Sequence, residues 1–97
     1  MALKKFRVVF SPTAQKQIEG LETEDALQVV RDIKGYLETA PFPFGKPRIK
    51  KLIGFDLPLY RLRSGDFRAY YRIVAQEVVI LVVTHKKESD KILKKLR

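Results

Sequence analysis

Four arginines and three tyrosines fall within one short stretch of this chain, residues 59–74, LYRLRSGDFRAYYRIV. Read as two strands joined by a tight turn, alternation places Leu59, Arg61 and Arg63 on one face and Tyr60 and Leu62 on the other. In the second strand Phe67, Ala69, Tyr71 and Ile73 oppose Arg68, Tyr70, Arg72 and Val74. One face is thus apolar and suited to a core. The opposite face gathers Arg61, Arg63, Arg68, Tyr70 and Arg72. A turn at Ser64-Gly65 would set Arg61 across from Arg68, and a turn at Gly65-Asp66 would set Arg63 there; a three-residue loop would shift both pairings. Like charges directly opposite on a sheet cost stability unless an anion lies between them. The planar fork of a guanidinium suits a phosphate. A solvated face neutralised by Asp66 is the other reading these residues allow.

Proton transfer has one obvious candidate. His85 is the single histidine and follows the apolar run 78–84, VVILVVT. Histidine is the side-chain type most often used as acid or base near neutral pH, so it could serve as either, or it could simply end the strand. Tyr70 could stack a base or pack against its neighbours. Cysteine is absent, which removes disulfides and thiolate metal sites. No carboxylate or histidine cluster has ligand spacing, so neither metal nor cofactor is expected.

Charge points to the partner. The net charge is +9, and it is unevenly spread. Residues 11–40 carry three basic and six acidic side chains, whereas residues 41–74 carry eight basic side chains against Asp56 and Asp66. Clustering of this kind builds affinity for a polyanion. Lys46, Arg48, Lys50 and Lys51, with Lys86, Lys87, Lys91, Lys94 and Lys95, are candidate RNA-docking residues, although for any single lysine solubility is an adequate explanation. The segment MALKKFRVVF is too short for a signal peptide, and no apolar run reaches the roughly 18 residues of a membrane span. A soluble cytoplasmic protein without a membrane partner is expected.

The elements that must hold the arginines follow from pattern. Ninety-seven residues make one domain, 1–97. Residues 3–10 are β-branched and aromatic and read as a strand. Ser11-Pro12 reads as a helix cap followed by proline at the first helical position. Ala14, Ile18 and Leu21 give a short helix. Thr23 is the expected cap of a second helix, whose apolar residues Ala26, Val29, Val30, Ile33, Tyr36 and Leu37 keep the helical period to about Thr39. The prolines of residues 40–47, APFPFGKP, forbid regular structure. Strands follow near 59–64, 66–74 and 78–84, the last apolar on both faces and so central. Residues 86–97 suggest a terminal helix anchored by Ile92, Leu93 and Leu96. The expected architecture is α+β: an N-terminal helical hairpin packed on a mainly antiparallel sheet of about four strands, with a short C-terminal helix.

The run Tyr60-Arg61-Leu62-Arg63, followed by Gly65-Asp66-Phe67-Arg68-Ala69-Tyr70-Tyr71, resembles the core motif of the RelE/ParE toxin superfamily, and the order of elements around it is similar over nearly the whole chain. The resemblance implies a RelE-like mRNA interferase, a metal-independent endoribonuclease that cleaves messenger RNA in the ribosomal A site and is silenced by a cognate antitoxin. It implies that Arg61, Arg63 and Arg68 occupy basic active-site positions, with Lys87 or Lys86 a further one. Many relatives carry a functional tyrosine near the C-terminus where this sequence has Leu93, so His85, a lysine of lowered pKa, or the arginine-rich site itself would supply proton transfer. The partners implied are the antitoxin, the ribosome and mRNA. Two alternatives share the scaffold or the charge: a ParE-like inhibitor of DNA gyrase, and a non-catalytic RNA-binding module.

Overall fold

Val78 and Ile80, fully buried, belong to the apolar run that the alternation marks as central. That run is β5 (Glu77–His85), second in a five-stranded sheet of order β1-β5-β4-β3-β2. The computed structural model describes residues 5–45 and 47–96. Its elements in chain order are β1 (Arg7–Phe10), α1 (Pro12–Glu19), α2 (Thr23–Leu37), β2 (Ile49–Leu52), β3 (Leu59–Ser64), β4 (Phe67–Val74), β5, a single 3₁₀ turn (Lys86–Glu88) and α3 (Ser89–Leu96). β1 runs parallel to β5, and every other pairing is antiparallel.

The helices form where local chemistry starts them. Ser11 caps α1 through its Oγ, which accepts from the Ala14 N–H at 3.0 Å, and proline follows it where a missing N–H does no harm. α2 buries Val29, Ile33 and Leu37, one residue per turn on a single stripe. Its cap is Glu22 rather than the expected Thr23, and Glu22 makes no side-chain capping bond. Glu24 and Asp25 in the first turn favour the helix start through the macrodipole instead.

The main core lies between these two helices and one face of the sheet, where Ala14, Val29, Ile33 and Leu37 meet Leu62, Ala69, Tyr71, Val78, Ile80 and Val83. A register shift between β4 and β5 lets the last strand fill both faces. Tyr70 pairs with Val82 and Tyr71 with Ile80, so Leu81 is the extra residue of a bulge. Ser11 and Gln17 satisfy the backbone there: Ser11 Oγ donates to the Leu81 carbonyl at 2.8 Å, and the Val83 N–H donates to Gln17 Oε1 at 2.7 Å. After the bulge Val82 points away from the main core and Val83 into it.

A second, smaller core covers part of the opposite face. Ile92, Leu93 and Leu96 of α3 pack with Leu52, Phe55 and Leu81 against Leu59, Tyr70 and Val82. The sheet has one more strand than the four expected. β2 is four residues long, IKKL, flanked by Pro47 and Gly54, and too short for alternation to reveal it.

Candidate nucleic-acid interface

The turn between β3 and β4 fixes how the arginines meet. Ser64 pairs with Phe67, leaving Gly65-Asp66 as a two-residue loop. Gly65 adopts φ +57°, a conformation that suits glycine at the first loop position of a primed hairpin turn. Of the registers open to the sequence, Arg63 therefore faces Arg68, and Arg61 faces Tyr70. Lys50 of β2 stands opposite Arg61. The Arg63 N–H donates to the Arg48 carbonyl at 2.9 Å, extending that ladder and bringing Arg48 beside Arg63. On the other flank Arg68 faces Thr84 and Tyr70 faces Val82. Two rows result: Arg48, Arg63, Arg68 and Thr84, then Lys50, Arg61, Tyr70 and Val82.

The hairpin is tied down at its tip. Ser64 is fully buried and donates from Oγ to Asp32 Oδ2 of α2 at 2.7 Å. The Lys86 N–H donates to the Asp66 carbonyl at 2.7 Å, and Lys86 Nζ lies 3.3 Å from Asp66 Oδ1. Asp66 is thereby engaged by Lys86. Salt bridges among the described residues join Arg7 to Glu77, Lys86 to Asp66 and Lys91 to Glu88, and none reaches Arg61, Arg63 or Arg68.

The three arginines form a cationic group that no carboxylate meets in a salt bridge. Arg68 Nη1 donates to the carbonyls of Gly65 at 3.0 Å and Phe67 at 2.9 Å, which holds its side chain over the turn. Partial burial, followed by the charges of Arg61 and Arg63, lowers the Arg68 pKa from its ordinary value, against smaller opposing effects of Tyr70 and Asp66. The guanidinium stays charged near neutrality and is destabilised by its surroundings, which an anion would relieve. Arg61 Nε is buried without a hydrogen-bond partner, an unsatisfied donor on the same face.

Other expected site residues are placed elsewhere. His85 pairs with Phe67, its ring edge-on to that phenyl at 5.5 Å, and Phe67 packs on the main core. The imidazole thus sits on the helix side of the sheet, away from the arginine rows. Its Nδ1 accepts from the Lys87 N–H at 3.1 Å, so here the residue acts as a cap for the 3₁₀ turn. Tyr70 lies on the arginine face but is buried beneath α3, so its ring is core and cannot stack a base while α3 is docked. Leu93, where relatives carry tyrosine, is one of the anchors holding that helix down. Arg72 shares the strand face but lines a separate cavity of about 300 Å³ with Gly54, Phe55, Asp56, Leu57 and Leu96. Lys51 faces Tyr60, on the opposite side from Lys50. Lys86 is committed to Asp66, and Lys87 is exposed on the 3₁₀ turn. Lys46 lies outside the described residues. Sequence reasoning missed Thr84, whose position as the only polar residue of its run was the available signal, and the pairing of Arg48 with the Arg63 row, which depends on the unforeseen β2.

Among the described residues no group of three or more His, Asp or Glu side chains could hold a metal ion, and no helix is long and apolar enough to cross a membrane.

A basic sheet face flanked by a helical hairpin and a C-terminal helix defines a toxin of the RelE/ParE superfamily. The model of the ParE toxin of type II toxin–antitoxin systems matches residues 8–90, and the chain belongs to that family. Among solved structures it is similar to a chain of the RelBE2 toxin–antitoxin complex of Mycobacterium tuberculosis, at 28% identity and a TM-score of 0.73 over 87% of this chain and 94% of that one. The archaeal RelE–RelB complex of Pyrococcus horikoshii is similar at 28% identity and a TM-score of 0.64, covering 84% and 94%. The free toxin RelE of Escherichia coli, in a form with two arginines replaced by alanine, shares the fold at 21% identity and a TM-score of 0.70, covering 95% and 94%. A comparison with curated protein sequences finds no significant match.

Proposed function

We propose that this toxin is a ribosome-dependent endoribonuclease that binds messenger RNA through Arg61, Arg63 and Arg68 and cleaves it. The observation that carries the reading is the in-register pair Arg63 and Arg68, with Arg61 beside it and its buried Nε unpartnered. Three guanidinium groups without carboxylate partners are a site built for phosphate oxygens.

In this reading the ribose 2′-oxygen attacks the adjacent phosphorus and the P–O5′ bond breaks, leaving a 2′,3′-cyclic phosphate and a 5′-hydroxyl. The 2′-proton leaves to water and the 5′-oxygen regains one from water. Arg61, Arg63 and Arg68 stabilise the extra negative charge of the pentavalent phosphorus. Preorganisation matters more than proton transfer here: the Arg68 side chain is already held over the turn by two carbonyls, and the ribosome aligns the strand. His85 has no part in this scheme, because it faces the other side of the sheet.

A cognate antitoxin is the second partner, in keeping with the similar chains in the Mycobacterium and Pyrococcus toxin–antitoxin complexes. The matched family model favours one other reading, inhibition of DNA gyrase as the resemblance to ParE implies. Incubating the protein with translating ribosomes and mapping new 5′ ends separates the two. Codon-positioned cleavage supports the nuclease; intact mRNA with loss of gyrase supercoiling supports the alternative.

A further inference from the structure

Six large apolar side chains are exposed among the described residues, and four of them, Val9, Ile53, Leu57 and Val74, gather around Arg72. Arg72 pairs with Val79, and Val79 with Val9, so these three share one row on the face opposite the helical hairpin. Val74 is two residues beyond Arg72 on that face, about 7 Å away, and Val9 lies two strands across, about 10 Å away. Leu57 lines the cavity of about 300 Å³ with Arg72, Asp56 and Leu96, and Ile53 precedes the glycine of its wall. Exposure is 61% at Leu57, 57% at Val74 and 91% at Ile53, and neither core claims them.

This end of the sheet face differs from the arginine rows. Arg68 lies four residues back along β4, about 13 Å away, with Tyr70 buried beneath α3 between them. The exposed groups around Arg72 are aliphatic and offer no ring on which a base could stack. Arg7, in the next row, is engaged by Glu77. Arg72 and Asp56 line the same cavity, yet salt bridges among the described residues reach neither. Exposed aliphatic surface around an unpaired guanidinium has the composition of a protein interface, in which apolar contact supplies area and arginine an anchor.

We infer that the sheet face around Arg72 docks the antitoxin, through a segment in which apolar side chains flank a carboxylate that pairs with Arg72. The inference rests on the antitoxin as partner and is independent of RNA cleavage. Charge selects this occupant. A second copy of the chain would bring another net +9 against the first, whereas an acidic segment is attracted by that charge. Docking here leaves the Arg63–Arg68 pair uncovered, so the contact supplies affinity for the antitoxin and not, by itself, inhibition.

Titration of the full chain with its purified cognate antitoxin tests this by calorimetry. Arg72→Ala is expected to weaken the complex by about 30-fold or more, through loss of an interfacial charge pair. Leu57→Ser and Val74→Ser should each weaken it roughly fivefold to tenfold by removing apolar contact, with RNA affinity unchanged. In the wild-type complex, amide exchange should slow at residues 53–57 and 74–77. Equal antitoxin affinity across the three variants would overturn this inference and leave the antitoxin standing as partner. A wild-type chain that binds no antitoxin would overturn both. Loss of RNA affinity in Leu57→Ser or Val74→Ser would assign the surface to RNA, and a wild-type dimer that these variants dissociate would assign it to a second copy. Either result would show the inference to be wrong.

Discussion

Arg63 and Arg68 face each other directly across the β3–β4 hairpin, in register and without a carboxylate between them. Two guanidinium groups so placed repel, and a fold selected for stability alone would put threonine or an aromatic at one position. Arg63→Thr should therefore stabilise the free protein by about 0.5 kcal/mol, within the range of cross-strand pair effects. The same substitution should weaken RNA binding. Urea midpoints and RNA titrations of the one variant would show the two effects in opposite directions.

The hairpin's position depends on Ser64, whose hydroxyl reaches Asp32 from a fully buried site. Ser64→Ala removes the donor and leaves a half-buried carboxylate short of a partner. A loss of about 1–2 kcal/mol is expected, seen as a lower urea midpoint at unchanged slope. Asp32→Asn keeps an acceptor for the hydroxyl and should cost less.

Tyr71 gives the fold a predictable alkaline weakness. Burial, with a smaller contribution from Tyr60, raises the Tyr71 phenol well above its ordinary pKa of 10.0. The folded state then holds this proton where the unfolded state releases it, so its contribution to stability is complete below about pH 10. That contribution is lost progressively as pH climbs from there toward the higher folded value. Between pH 9 and pH 11 the wild-type urea midpoint should fall further than that of Tyr71→Phe. At pH 7 the wild type should be the more stable by about 1 kcal/mol, because the phenylalanine cannot donate to the Pro41 carbonyl.

The β4–β5 turn holds a different kind of cost. Ala75 adopts φ +55°, the only positive φ at a non-glycine residue among those described. Ala75→Gly should relieve about 1 kcal/mol of steric strain, less a few tenths for the added freedom of the unfolded chain. The converse change, Gly65→Ala, should destabilise by about 1–2 kcal/mol from the same strain. Its new Cβ would also meet Gln28 Nε2 at 2.8 Å, a flexible end that can move aside. Thermal unfolding of both variants checks the pair.

Alternation alone was enough to place Arg61, Arg63 and Arg68 on one face, because a period of two leaves no choice once the strands are recognised. The same rule put Tyr70 there too, and was silent about what would lie above it. That depended on α3, whose three apolar anchors find the sheet only in three dimensions. His85 escaped for a related reason. The bulge at Leu81 shifts the alternation of β5 by one residue, so the strand end faces the helices. No local sequence signal marks that bulge; the groups that accommodate it, Ser11 and Gln17, lie about 65–70 positions earlier. β2 was too short to show a period, and with it went the placement of Arg48 and Lys50.

Arg68→Ala tests the central claim most directly, in a translation reaction programmed with a defined mRNA, with new 5′ ends mapped and the fold checked by circular dichroism. Wild-type protein is expected to cut at a fixed position in the codon, and Arg68→Ala to abolish cleavage while keeping its secondary structure. Undiminished cleavage by the folded variant would contradict a phosphate site built on these arginines.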